Sequence, residues 1–149
     1  MQLTQKESDL LKDLKTMEQL CVDKYSRNAS MALDAQLKGL FTRLSQNEQK
    51  HLDAIMALQG GTVTQLGGGN SAMPQFTATY NYADTPEKQN DCFLCTDLLS
   101  GEKSASHLYD TCIFEFTDEK ARQMLGQIQT QEQNHGKMLY DYMSANSMY

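Results

Sequence analysis

Tryptophan is absent from this chain, proline occurs twice and histidine three times, and basic residues are outnumbered, with 13 Lys and Arg against 19 Asp and Glu. Each shortage excludes something. A net charge of -6 leaves no basic footprint for a phosphate backbone, so nucleic acid is not an expected partner. No apolar run approaches the ~20 residues that a bilayer span needs, and the amino-terminal stretch MQLTQKESDLLKDLK carries acids where a secretory leader carries an apolar core. No membrane partner is expected, and the protein is expected to stay inside the cell. Cys21, Cys92, Cys95 and Cys112 lack the density of a small disulfide scaffold, so reduced thiols are the default. CFLC, at 92 to 95, has no strand pattern before it as a thioredoxin-like unit would, and ordinary buried or surface thiols are expected there.

What the chain does have is helix. Its 149 residues fit a single domain, 1–149, with enough length to bury a core. From Thr4 to about Ser30 no Gly or Pro intervenes, and Thr4 with Glu7 has the spacing of a capping box. The stretch from Asp34 to Leu58 behaves likewise. Helical character resumes near Asp91, breaks at EFTDEKA, where Thr117 or Asp118 can cap a new start, and continues to about Met143. Between the second and third helices, about 59–90, glycines, both prolines and polar residues exclude a long helix. The expected fold is all-α: four helices in two hairpins, joined by a long crossover. That segment can travel the bundle, since ~25 helical residues span only about 37 Å, and it makes the second and third helices parallel. Its aromatic part, MPQFTATYNYADTP, either packs over a bundle face or meets another subunit.

Periodicity identifies the inward faces. In the second helix Leu37, Phe41, Leu44, Glu48, His51, Ile55 and Leu58 follow alternating steps of four and three, the seam of a helix packed in a bundle. The fourth gives Ala121, Leu125, Ile128, Glu132, His135, Leu139 and Tyr142. In the first helix the seam runs Leu11, Leu14, Glu18, Cys21, Tyr25, and in the third Cys95, Leu98, Glu102, Ala105, Tyr109. NEQKH at 47 to 51 recurs as QEQNH at 131 to 135, an offset of 84 residues that also carries Glu18 onto Glu102 and Tyr25 onto Tyr109. The chain reads as a duplicated helical hairpin whose repeat is one of roles more than of letters.

Helix geometry says whether the acids meet. With the first turn near Ala32, Glu18 lies 14 residues before it and Glu48 lies 16 after, so at ~1.5 Å per residue their heights differ by about 3 Å. Glu102 and Glu132 stand in the same relation to a turn near Phe116. Residues three apart share a helix face, so His51 and His135 join the glutamates of their own motifs. Four ionised carboxylates cannot be buried bare: they must be protonated, solvated, paired or neutralised by cations. No Lys or Arg lies on a seam at that level. Two divalent ions would balance four carboxylates, with oxygen and imidazole donors suited to iron or manganese. Iron is the first expectation, manganese or zinc the others. Tyr25 and Tyr109 are expected in the core with partnered hydroxyls, and His107, off the seam, in solvent.

One Glu from each of two helices plus Glu-x-x-His from each of the other two is the donor pattern of ferritin-like dimetal-carboxylate bundles, and on Glu18, Glu48, His51, Glu102, Glu132 and His135 the chain resembles that group. The resemblance implies that Glu18 and Glu102 are terminal ligands, that Glu48 and Glu132 bridge, and that His51 and His135 each cap one metal. Neither the short fifth helix of the large ferritin cages nor a storage shell is expected, and with a single C-x-x-C no rubredoxin-like domain is expected either. LTQKESDLLKDLKTMEQLCVDKYSRNA followed by LKGLFTRLSQNEQKHLDAI is similar to the spore-coat F-like family of endospore-forming bacteria. That second resemblance implies a location, cytoplasm or spore coat, and as partners a second copy or other coat proteins. Two functional classes result: a dimetal protein that reacts with oxygen or peroxide as an oxidase or peroxidase, and a non-catalytic coat scaffold on the same fold.

Overall fold

The computed structural model describes residues 1–66 and 72–149; the glycine-rich run at 67–71, part of the crossover, lies outside the described residues. Four helices form: α1 (Gln5–Met31), α2 (Ala35–Gln59), α3 (Pro86–Glu115) and α4 (Glu119–Ala145). Each starts on a side chain that occupies otherwise unpaired N–H groups of the first turn. Thr4 and Glu7 make the reciprocal capping box on α1, Asp34 accepts from Gln36 N–H on α2, and Asp118 accepts from Ala121 N–H at 2.8 Å on α4. Helix α3 begins at Pro86, five residues before the expected start near Asp91. Thr85 caps it, and Pro86 sits in the first turn, where a missing N–H costs nothing and a fixed φ favours helix. The proline taken as a breaker is in fact a starter.

The helices α1 and α2 pack as one hairpin and α3 and α4 as the other. Between them, Lys24 pairs with Asp97 at 2.8 Å and Lys6 with Glu115. Numbers rise on α1 as they fall on α3, so those helices are antiparallel, and α2 and α3 are therefore parallel, as the crossover requires. All the seam residues expected on α2, α3 and α4 are buried, and on α1 only Cys21 is partly exposed. They build two apolar clusters. One, around Tyr25, Leu37, Phe41, Leu98, Leu139 and Tyr142, fills the end near the first turn; the other, around Leu14, Ile55, Leu58, Cys112, Leu125 and Ile128, fills the opposite end. Each fully buried Leu or Ile contributes ~1.5–3 kcal/mol. The glutamates and histidines lie between the two clusters.

The 84-residue repeat is obeyed by contacts as well as letters. Ser45 Oγ donates to Val22 O, and Gln129 Nε2, 84 residues on, donates to Ser106 O, both at 3.1 Å. At the bundle ends, Glu7 accepts the Thr117 N–H at 3.2 Å, while Asp91, its repeat partner, accepts the Leu33 and Asp34 N–H groups at 2.9 and 3.0 Å. Each buried acid thus fastens the turn of the other hairpin. The crossover docks on one bundle end: Asn146 Oδ1 accepts the N–H groups of Thr79 and Tyr80, Tyr80 donates its hydroxyl to Asp91, and Phe76 stands edge-on to Tyr142. Of the two placements the sequence left open, the aromatic stretch takes the first, although Tyr82 remains exposed. Among the described residues, no helix is long and apolar enough to cross a membrane.

Candidate metal centre

All six seam residues converge. Glu18, Glu48 and His51 are 0% exposed, Glu132 1%, His135 2% and Glu102 4%. They form two overlapping groups, Glu18/Glu48/His51/Glu132 and Glu48/Glu102/Glu132/His135, in each of which one donor atom per residue lies within 4.8 Å of the others. Glu48 and Glu132 are common to both groups. The rings of His51 and His135 stack at 5.6 Å between centroids, and each directs Nδ1 at the other hairpin's glutamate. His51 Nδ1 is 2.8 Å from Glu132 Oε1, and His135 Nδ1 is 2.8 Å from Glu48 Oε1. The tyrosines are reciprocal too: Tyr25 donates to Glu102, and Tyr109 to Glu18. Both hydroxyls have the partners expected of core tyrosines.

Burial and the close approach of acids and imidazoles shift the ionisation of this layer. Burial, aided by the charge of Glu48, pushes the Glu18 carboxyl well above the usual range. Burial also raises Glu132, with Glu102 and Glu48 adding to it. Burial works against the charge of Glu48, but hydrogen bonds from His135 and His51 outweigh it and hold this carboxylate well below the usual range. Burial alone would lower the histidines. Contacts with Glu48 reverse that for His51, raising it to about 9, and contacts with Glu102, Glu132 and Glu48 raise His135. Even so, Glu18 Oε2, Glu102 Oε2 and Glu132 Oε2 are buried without a hydrogen-bond partner. Orphaned buried acceptors are rare and costly. Each of these three belongs to a residue of the two donor groups and is an acceptor that a cation would satisfy, so the donor set fits two divalent ions.

This proton inventory fixes a pH dependence for the metal-free protein. His51, with a folded value of about 9 against 6.5, contributes stability that is complete below 6.5 and lost as pH rises through 9. His135 acts in the same direction. Glu18 and Glu132, raised above 4.5, favour the fold below that value and lose their contribution as pH rises from it; only Glu48, lowered, acts the other way and loses its contribution on acidification. Metal-stripped protein is expected to lose on the order of 3 kcal/mol from His51 alone between pH 6.5 and 9, about 10 °C in Tm. Thermal unfolding at pH 5.5, 7.5 and 9 measures it, and stability that climbs toward pH 9 would contradict it.

The other candidates are quieter. His107 is exposed on α3, as expected. All four cysteines are free; burial, with Glu48 next in effect, pushes the Cys21 thiol far up, and burial raises Cys112 to about 12. Neither is poised to ionise. Sequence reasoning read Glu7 only as a cap and Asp91 only as a helix start and missed their contacts with the opposite turns, although the same offset of 84 relates them. It also passed over Gln131, whose Oε1 lies 2.6 Å from His51 Nε2; nothing in a linear pattern marks that contact across two helices.

The family model of the Coat F domain matches residues 90–149. That stretch is nearly all of α3 and the whole of α4, with Glu102, Glu132 and His135. The coat resemblance read from the sequence leaned on the first hairpin, and the match falls on the second. The two hairpins share a fold and a donor layout but few letters beyond them, and a family model scores letters. No curated protein and no solved structure matches the chain.

Proposed function

We propose that this chain is a ferritin-like protein that binds two divalent metal ions, iron first among them, in the layer between its two apolar clusters. The supporting observation is the trio of orphaned carboxylate oxygens, one each on Glu18, Glu102 and Glu132, beside two imidazole Nδ1 atoms. Glu18 and Glu102 would be terminal ligands, Glu48 and Glu132 would bridge, and His51 and His135 would each cap one ion through Nδ1. When bound, iron or manganese would supply redox chemistry with oxygen or peroxide. The chain's own part is to hold six donors, to give up the protons they carry as cations enter, and to exclude bulk water with the flanking clusters. Tyr25 and Tyr109 steady the terminal carboxylates through their hydroxyls.

The match to the Coat F domain supports a spore-coat association and keeps a second reading, a non-catalytic coat scaffold on the same four helices. Anaerobic titration with ferrous iron, followed by oxygen, separates the two. The dimetal reading expects two irons per chain, proton release on binding, and an oxo-bridged absorption band after oxygen. Absence of binding leaves the scaffold.

A further inference from the structure

The duplication makes the two halves of the metal layer almost interchangeable, and one contact breaks the equivalence. His51 Nε2 donates to Gln131 Oε1 at 2.6 Å, which turns Nδ1 inward with its ring orientation fixed. Subtracting 84 from Gln131 gives Asn47, one methylene shorter, on α2. Among the described residues, no side chain takes the corresponding bond from His135, whose only hydrogen bond runs from Nδ1 to Glu48. Both halves are buried; one is braced from behind by a side chain and the other is not.

We infer that Gln131 is a positioning residue that makes the two metal positions unequal: the position on Glu18, Glu48, His51 and Glu132 takes its ion more tightly than the one on Glu48, Glu102, Glu132 and His135. This rests on the dimetal reading proposed above. The physical cause is the usual role of a hydrogen-bonding partner behind a metal-ligating histidine. It fixes the tautomer, so that Nδ1 presents a lone pair, it removes ring rotation from the cost of binding, and it raises the basicity of the ligating nitrogen. His135 must find its orientation as the ion arrives. The braced position is filled first and emptied last, and the unbraced one exchanges.

Anaerobic calorimetric titration with zinc and, separately, with ferrous iron tests this on the whole chain. Wild-type protein is expected to bind two ions in two steps, the first at least about tenfold tighter. Gln131→Leu should weaken the first step about 10- to 100-fold and leave the second within about threefold, while Gln131→Glu, which keeps an acceptor in place, restores the first. Asn47→Gln supplies His135 with the missing reach and should tighten the second step, so the inference can be tested even if the leucine variant folds poorly. His135→Ala should remove the weak step and His51→Ala the tight one. Two equal steps in the wild type, or Gln131→Leu weakening both steps alike, would overturn the inequality while leaving the dimetal reading intact. Wild-type protein that binds neither metal overturns both.

Discussion

Replacing Glu48 with alanine is expected to abolish binding of both metal ions at once, taking the stoichiometry from two to zero. Glu48 belongs to both donor groups, so on the dimetal proposal its loss would remove a ligand from each ion and the negative charge that would balance both. The same substitution should also damage the metal-free protein. Glu48 is the charged carboxylate that accepts from both buried histidines, at 2.8 Å from His135 and 3.2 Å from His51, and removing one partner of a buried ion pair typically costs 3–5 kcal/mol. In a chain of this size that is ~10–15 °C of Tm. Glu132→Ala supplies the contrast. It too should lose both metals, but burial already favours the neutral form of Glu132, so its removal from metal-free protein should be clearly milder. Metal analysis and thermal unfolding of the two stripped variants decide it; equal Tm losses would contradict the assignment of charge between the two acids.

Asp91→Ala is expected to be the most destabilising change outside the glutamate–histidine layer. Its carboxylate, fully buried, accepts from Leu33 and Asp34 N–H, from the Tyr80 hydroxyl and from the Asn90 side chain. Alanine leaves the part-buried Leu33 N–H and the buried Asp34 N–H of the first turn without this acceptor and removes the Tyr80 anchor of the crossover. Each stranded buried group costs about 1–3 kcal/mol, so a loss of ~2–4 kcal/mol is expected in urea unfolding, with faster hydrogen exchange concentrated at Leu33 and Asp34. Glu7→Ala, the repeat equivalent, strands only the Thr117 N–H of the opposite turn besides its own cap, and should cost less. A change within about 0.5 kcal/mol at Asp91, the range of ordinary surface substitutions, would show that the turn is held by something else.

Much of this was legible in the sequence because a helix seam has only one way to repeat. Steps of four and three put Glu48, His51, Glu132 and His135 on inward faces, and counting residues from the turns put Glu18 and Glu102 level with them; these are the six side chains that meet. The crossover and the parallel direction of α2 and α3 followed from its length. What escaped was of two kinds. Pro86 carries opposite meanings inside a helix and at its first turn, and composition alone does not say which applies. Asp91, Tyr80, Asn146 and Gln131 act across elements distant in sequence, and no period or spacing announces such partners. The repeat could have exposed Asp91 through Glu7, but Gln131 matters because it departs from the repeat.

Residues 60–85 do more than connect. Both imidazoles and each of the four glutamates have a partner on the other hairpin, so either hairpin alone would present a half-built layer to solvent. The tether makes that encounter intramolecular, at the effective concentration of a short chain instead of that of the protein in solution. Severed within the tether, the same two halves would associate only as a bimolecular pair, and their assembly would then depend on dilution.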